Sequence, residues 1–185
     1  QENIKKLISH GKIHIPVNSG FLASGLEGEG RMKEPEEIID FIINNIKQDL
    51  KLYNKKVLIT AGPTYEPIDA VRFVGNFSSG KMGFSLAKTA ASLGAEVTLI
   101  TGPTSLNLVD DNVVVVNVVT ADQMFVEVKK YFRSSDISIL SAAVSDFKPK
   151  NRSDKKIKKQ NNNTLSIDLI QNIDILKYLG DNKSE

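Results

Sequence analysis

The sequence predicts an α/β fold: a Rossmann-like, three-layer arrangement in which a parallel sheet carries helices on both faces, preceded by a short N-terminal extension. Three observations carry this prediction. From Val57 onward, β-branched runs alternate with segments whose apolar residues recur at helical spacing, the pattern of parallel strands joined by right-handed crossovers. The first of these runs, 57–60 (VLIT), reads as a buried strand. It empties into a long polar loop, 61–83 (AGPTYEPIDAVRFVGNFSSGKMG), and then into a helix pattern, which is how an open α/β sheet builds a ligand site.

Composition bounds the rest. The chain has 185 residues, 41% of them hydrophobic and 25% charged, as in one soluble globular domain with a small appendage. A net charge of +2 argues against general nucleic-acid binding. There is no Cys, which excludes disulfides and thiolate chemistry. His10 and His14 are the only histidines, which argues against a structural zinc site. No apolar run reaches membrane-spanning length and no signal segment opens the chain, so a cytoplasmic location without a membrane partner is expected. The chain opens on Gln1 without an initiator Met and is expected to be a fragment.

Along the chain, residues 1–12 read as a short polar helix and 13–17 (IHIPV) as a brief strand. The glycine-rich stretch 20–32 suits neither a helix nor a central strand and reads as a surface loop. Pro35 suits the first turn of a helix, with Glu34, Glu36 and Glu37 near its positive end. Ile38, Ile39, Phe41, Ile42, Ile43 and Ile46 give that helix an apolar face. Residues 47–56 read as a charged linker, so the division is 1–50 and 51–185. The next helix, 80–93, offers Met82, Phe84, Leu86, Ala87, Ala90 and Leu93 for its inner face, and Gly94 ends it. Strands follow at 96–101 and 113–119. Thr120 caps a helix over 121–132, and 136–143 is a fourth strand. Residues 148–163 are basic and polar, read either as a solvated loop or as a lysine-bearing flap over a polyanion. A strand at 164–170 and a short helix at 173–179 close the chain.

Two familiar nucleotide motifs fail. Residues 75–81 nearly match the phosphate loop GxxxxGK[ST], but Met82 stands where a hydroxyl should hold Mg²⁺, and the motif begins far from its strand. Gly75, Gly80 and Gly83 are not spaced GxGxxG, and the second strand lacks the ribose-binding acid. What remains is a polar crevice lined by Gly62, Thr64, Arg72, Asn76, Ser78, Ser79, Lys81, Ser141, Ala143 and Asp146, with the helix N-terminus at Gly80 offering N–H groups to an anion. Simpler roles stand beside these. Ser78 and Ser79 would cap the helix, Asn76 would be a turn residue, and Arg72 a surface ion pair. Asp146, just past a buried strand, could select a base or ribose or help hold Mg²⁺.

The segments ITAGPTYEPIDAVRFVGNFSSGKMG, SAAVSDFKPK and KKIKKQ, in this order from about Lys55 to the end of the chain, closely resemble the phosphopantothenoylcysteine synthetases of coenzyme A biosynthesis. The segment GFLASGLEGEGRMKEP resembles the end of a phosphopantothenoylcysteine decarboxylase domain, which bacteria commonly fuse ahead of the synthetase. The resemblance implies CTP-dependent condensation of 4′-phosphopantothenate with L-cysteine through an acyl-cytidylate, with Mg²⁺, in a homodimer. FMN would belong to the decarboxylase domain alone. The family's asparagine that holds the acyl-cytidylate falls on Asn76, its loop arginine on Arg72, and its flap lysine on Lys156. The nucleotide-binding alanine and aspartate of its AAVxD segment fall on Ala143 and Asp146. Its (V/I)-K-N-P-D segment falls on Ile170, Gln171, Asn172, Ile173 and Asp174, with Gln171 and Ile173 replacing Lys and Pro. Ser24 stands where the decarboxylase tail carries a catalytic cysteine, and a hydroxyl is a far weaker acid than a thiol, so decarboxylation is not expected of this chain. The family continues with further strands and a lysine-bearing nucleotide segment, so the synthetase is expected to be cut short after Glu185. A truncated dimerisation or scaffold module, and a nicotinamide-dependent reductase, are the other readings.

Overall fold

The computed structural model describes residues 2–21, 25–158 and 164–183; Ser24 lies outside them. The chain divides into two compact units, Gln1–Leu50 and Lys51–Glu185.

The first unit holds helix α1 (Glu2–Ser9), strands β1 (Asn18–Phe21) and β2 (Glu27–Arg31), and helix α2 (Pro35–Gln48). The strand expected at 13–17 does not form. Residues 12–17 form no regular element, and strand pairing begins at Asn18. Parts of the glycine-rich stretch enter both strands of an antiparallel ribbon, with Gly20 opposite Gly28. A two-stranded ribbon with both faces open asks no large side chain of its residues, so glycine is tolerated there. Pro35 opens α2 as expected, and the Glu34 N–H donates to the Glu37 carboxylate at 3.1 Å. None of the α2 residues is buried in this unit, the isoleucines Ile39, Ile42, Ile43 and Ile46 included.

The second unit is built on β3 (Lys56–Ala61), β6 (Glu96–Thr101), β7 (Val113–Asn117) and β8 (Ile137–Leu140). They form one parallel sheet in the order β7-β6-β3-β8. Every β3 residue after Lys56 is buried, because β3 is central and both its faces are covered. Val57, Ile59 and Ala61 pack with Val97 and Leu99 under helix α3 (Lys81–Ser92), against Phe84, Ala87, Ala90 and Ala91. On the opposite face Leu58 and Ile100 meet Met124 and Val128 of helix α4 (Ala121–Phe132), and Ile175 and Leu179 of helix α5 (Ile175–Asp181). Helix, sheet and helix give the three layers.

Local chemistry sets most boundaries. Thr120 caps α4, its Oγ1 accepting from the Gln123 N–H at 3.2 Å, while the Gln123 side chain accepts from Thr120 N–H. Gly94, at φ 92°, ends the α3 turn, its N–H donating to the Ala91 carbonyl. Met82 is not on the inner face of α3. The buried arc is Gly83, Phe84, Ala87, Ala90 and Ala91, and one residue back rotates Met82 into solvent. Asp174 takes the cap of α5 through the Lys177 N–H, so that helix starts later than its apolar pattern suggests. The strand expected over 164–170 shrinks to β10 (Leu169–Gln171), which pairs antiparallel with β9 (Phe147–Pro149) outside the main sheet. The polar loop contains its own small hairpin, β4 (Tyr65–Pro67) against β5 (Phe73–Gly75), with the Tyr65 and Phe73 rings stacked at 4.0 Å. No helix among the described residues is long and apolar enough to cross a membrane.

Candidate functional site

The sheet order places the first strand of the parallel sheet, β3, beside its last, β8. Chain connections run away from this seam in opposite directions, so the carboxyl ends of β3 and β8 open a crevice at a topological switch point. Most of the residues singled out in the sequence stand there. The Ala143 N–H donates to the Gly62 carbonyl at 2.8 Å, and the Thr64 N–H donates to the Ala143 carbonyl at 3.3 Å. Ser141 Oγ donates to the Thr60 carbonyl at 2.7 Å, closing the seam from the β8 side. Thr64 is fully buried and its Oγ1 accepts from the Ser145 N–H at 2.9 Å. Asn76 is exposed, with its Nδ2 donating to the Ala143 carbonyl at 3.3 Å and the Val144 carbonyl at 3.0 Å. Asn76 is therefore more than a turn residue: it ties the polar loop to the end of β8.

Helix α3 points its N-terminus at the same seam. Its N-cap is Gly80, held at φ 76°, a conformation that an L side chain rarely adopts. A Cβ on Gly80 would stand 3.2 Å from the Gly62 nitrogen, so helix start and strand end approach backbone to backbone. The serines do not fill the N-cap position as expected. Instead Ser78 Oγ accepts from Gly80 N–H at 3.3 Å and Ser79 Oγ accepts from Lys81 N–H at 3.4 Å. Lys81, the first helical residue, is exposed, and its ammonium makes no ion pair among the described residues. Gly83 packs directly against the seam, because a Cβ there would lie 2.5 Å from Ala61 Cβ and 2.9 Å from Ser141 Oγ. Gly83→Ala is expected to cost about 1–3 kcal/mol by overpacking, read as a lowered midpoint in urea unfolding.

The second wall comes from the segments around β9 and β10. Asp146 is exposed, and its carbonyl accepts from the Asn172 N–H at 2.8 Å. Ile170, Gln171 and Ile173 are likewise exposed around it. A cavity of about 280 Å³ lies between this segment and the seam, lined by Thr60, Ala142, Asp146, Gln171, Asn172 and Ile173 among others. Asn172 is buried, and its Nδ2 donates to the Ser145 carbonyl at 2.7 Å. That carbonyl demands a donor, which sets the amide's orientation. Asn172 Oδ1 is left as a buried acceptor without a partner among the described residues. A buried acceptor left unpaired costs free energy, and a ligand donor would relieve it. A larger hollow, about 960 Å³, runs along the edge of β8 beside Phe132, Leu176 and Lys183, and contains none of the singled-out residues.

Arg72 reaches the segment next to Lys156. Arg72 is not an ordinary surface pair. Its Nε and Nη2 both bond Asp69 Oδ2, and Nη2 also reaches the Ile157 carbonyl at 3.2 Å. The fork that could grip a ligand phosphate is thus engaged by Asp69, whose side chain is fully inaccessible. Lys156 is exposed and immediately precedes Ile157. The Arg72 guanidinium holds the Asp69 carboxyl well below the usual carboxylate range; burial opposes this, and the N–H groups of Val71, Ile157 and Arg72 add to the lowering. A depressed carboxyl contributes stability above its unfolded value, near 3.8, and loses it as pH falls through the lower folded value. The stability difference between the wild type and Asp69→Asn is therefore expected to persist from neutral pH to the usual carboxylate range. It should vanish only in stronger acid, as read by urea midpoints across pH.

Asp69 and Glu66 were not legible as site residues. Glu66 is buried at 2% exposure and accepts from the Ala121 N–H at 2.8 Å, joining the loop to the start of α4. Nothing in its sequence surroundings marks it as buried. Asp69 carried one signal, its position three residues before Arg72 in a loop, where a short acid can bond backbone N–H groups ahead of it. Among the described residues no group of three His, Asp or Glu side chains could hold a metal ion. Mg²⁺ commonly binds through one or two carboxylates plus substrate phosphates, which asks less of the protein than such a group.

Residues 52–185 match the family described as the DNA/pantothenate metabolism flavoprotein C-terminal domain. The chain is similar to the coenzyme A biosynthesis bifunctional protein CoaBC of Borreliella burgdorferi, with 45% identity over 183 residues that cover 99% of this chain and 47% of that protein. It is also similar to a protein named cysteine/cysteine sulfinic acid decarboxylase, from an unknown prokaryotic organism, with 45% identity over 189 residues covering 100% of this chain and 52% of that one. Among solved structures it is similar to the C-terminal domain of a coenzyme A biosynthesis bifunctional protein CoaBC. The TM-score is 0.64 and the identity 43%, over 74% of this chain and 63% of that one. The chain thus spans about half the length of the curated relatives it matches.

Proposed function

Since the chain belongs to the family of the DNA/pantothenate metabolism flavoprotein C-terminal domain, we propose that it carries the synthetase site that joins 4′-phosphopantothenate to L-cysteine with CTP. The supporting observation is the convergence at the switch point: the Asn76 amide tethered to the Ala143 and Val144 carbonyls, with a cavity lined in part by Asn172, whose buried Oδ1 has no partner among the described residues. A carboxylate and an amine do not condense at neutral pH without activation. In the first step a carboxylate oxygen of phosphopantothenate attacks the α-phosphorus of CTP, the bond to the β-phosphate oxygen breaks, and pyrophosphate leaves. The cysteine amine then attacks the acyl carbonyl of the resulting acyl-cytidylate, loses a proton, and CMP leaves.

The residues divide this work. The N-terminus of α3, with Ser78, Ser79, Gly80 and Lys81, presents N–H groups and a cation to phosphate. Asn76 positions the reacting carbonyl, and an amide does not compete as a nucleophile. Lys156 offsets triphosphate charge, and Mg²⁺ enters on the nucleotide. Gly62, Ser141, Ala143 and Asp146 line the nucleotide crevice, and Ile170, Gln171, Asn172 and Ile173 form its far wall. Asn172 Oδ1 accepts from the exocyclic amine of cytosine. Uracil presents a carbonyl there, so UTP is expected to bind about ten- to a hundredfold more weakly than CTP, measured by competition. On this reading Gln1–Leu50 is the tail of a decarboxylase domain, and the whole protein is a homodimer.

The test mixes the chain with Mg²⁺-CTP and phosphopantothenate in the absence of cysteine. Pyrophosphate should appear, with CMP following only when cysteine is added. Pyrophosphate that depends on cysteine from the outset would contradict the order of steps, and its absence with CTP would contradict the reading.

A further inference from the structure

The polar loop is fastened at two ends. At one, Asn76 holds the carbonyls at the end of β8. At the other, the loop grips a segment far away in sequence. The Ser153 N–H donates to the Ile68 carbonyl at 3.0 Å, and the Ile157 N–H donates to Asp69 Oδ2 at 3.1 Å. Arg72 Nη2 donates back to the Ile157 carbonyl. Asp69 is the centre of this grip. Its Oδ1 accepts from the Val71 and Arg72 N–H groups, each at 2.8 Å, and its Oδ2 takes the Arg72 fork and Ile157. An inaccessible carboxylate is costly unless it is paired and hydrogen-bonded. Here the pairing sits where it fixes the backbone on the carboxyl side of Lys156, a residue whose own side chain is left in solvent.

We propose that Asp69, acting through Arg72 and Ile157, is a positioning residue that sets where Lys156 stands. The proposal rests on the synthetase reading only in giving Lys156 a nucleotide to meet. It also gives Arg72 a role within the latch and none as a grip on substrate phosphate. Charge-assisted bonds of this kind are about twice as strong as neutral ones. The latch ties the basic segment and the Asn76 loop into one body, so that lysine and amide keep a constant relation while substrates enter.

Two measurements on the chain test this. The first is limited trypsin digestion, with cleavage after Lys155, Lys156 and Lys158 followed by mass spectrometry. Asp69→Asn keeps the size but sets an amide against the guanidinium, and should accelerate cleavage at these lysines about tenfold, with cleavage after Lys88 and Lys129 unchanged. Arg72→Lys keeps the charge but cannot fork to both Asp69 and Ile157, and should act in the same direction. It serves as the second variant if Asp69→Asn does not fold. Unchanged cleavage at 155–158 overturns the proposal. The second measurement titrates Mg²⁺-CTP into Asp69→Asn, Lys156→Gln and the double variant. Each single change should weaken binding, and the double should bind no more weakly than Lys156→Gln alone. Additive losses would show that Asp69 acts independently of Lys156 and would overturn the proposal. If the wild type binds no CTP, the synthetase reading falls, and the trypsin result alone decides the latch.

Discussion

Asn76→Asp is expected to lower formation of phosphopantothenoylcysteine by about 10²–10³-fold, the loss typical of removing one precisely placed polar contact at a reacting centre, with a much smaller loss of Mg²⁺-CTP affinity. Two effects add. The Asn76 amide donates to the Ala143 and Val144 carbonyls, and a carboxylate cannot donate. It would instead press a negative oxygen against two carbonyls and release the loop from the end of β8. It would also turn negative charge toward an acyl-cytidylate that is itself anionic. Asn76→Ala removes the tether without adding charge and should cost less. Rapid-quench measurement of acyl-cytidylate and product separates the two steps. Product formation by Asn76→Asp at the wild-type rate would remove Asn76 from the site.

Lys156→Gln is expected to slow pyrophosphate release about ten- to a hundredfold, with a smaller effect on attack by cysteine. The lysine meets triphosphate charge only in the first step, so its loss falls on formation of the cytidylate. Lys156→Arg keeps the charge with a different shape and should recover part of the rate. Normal pyrophosphate release by Lys156→Gln would return the basic segment to the status of a solvated loop.

The parallel sheet was legible because its strands are continuous apolar runs separated by helix periods. Strand 96–101 and the Thr120-capped helix 121–132 appear with the expected bounds, since a β-branched run and a capping residue both act locally. Met82 misled because its type is apolar, while its exposure follows from where the α3 arc begins. The glycine-rich ribbon misled in the opposite sense, since pairing of Gly20 with Gly28 depends on a partner strand and hardly on side chains. At the site, the crevice residues near Gly62, Asn76 and Ala143 could be anticipated from the strand-loop-helix layout. The Asp69–Ile157 bond spans 88 residues, and no pattern within either segment announces it. Glu66 is hidden for the same reason: its partner, the start of α4, lies 55 residues away.

The most direct test of the central claim, a nucleotide crevice at the seam of β3 and β8, is calorimetric titration of the chain with Mg²⁺-CTP, with ATP and NADPH in parallel. The account predicts saturable binding selective for CTP, weakened by Asn172→Ala, which removes the unpartnered acceptor. Binding selective for NADPH would contradict it.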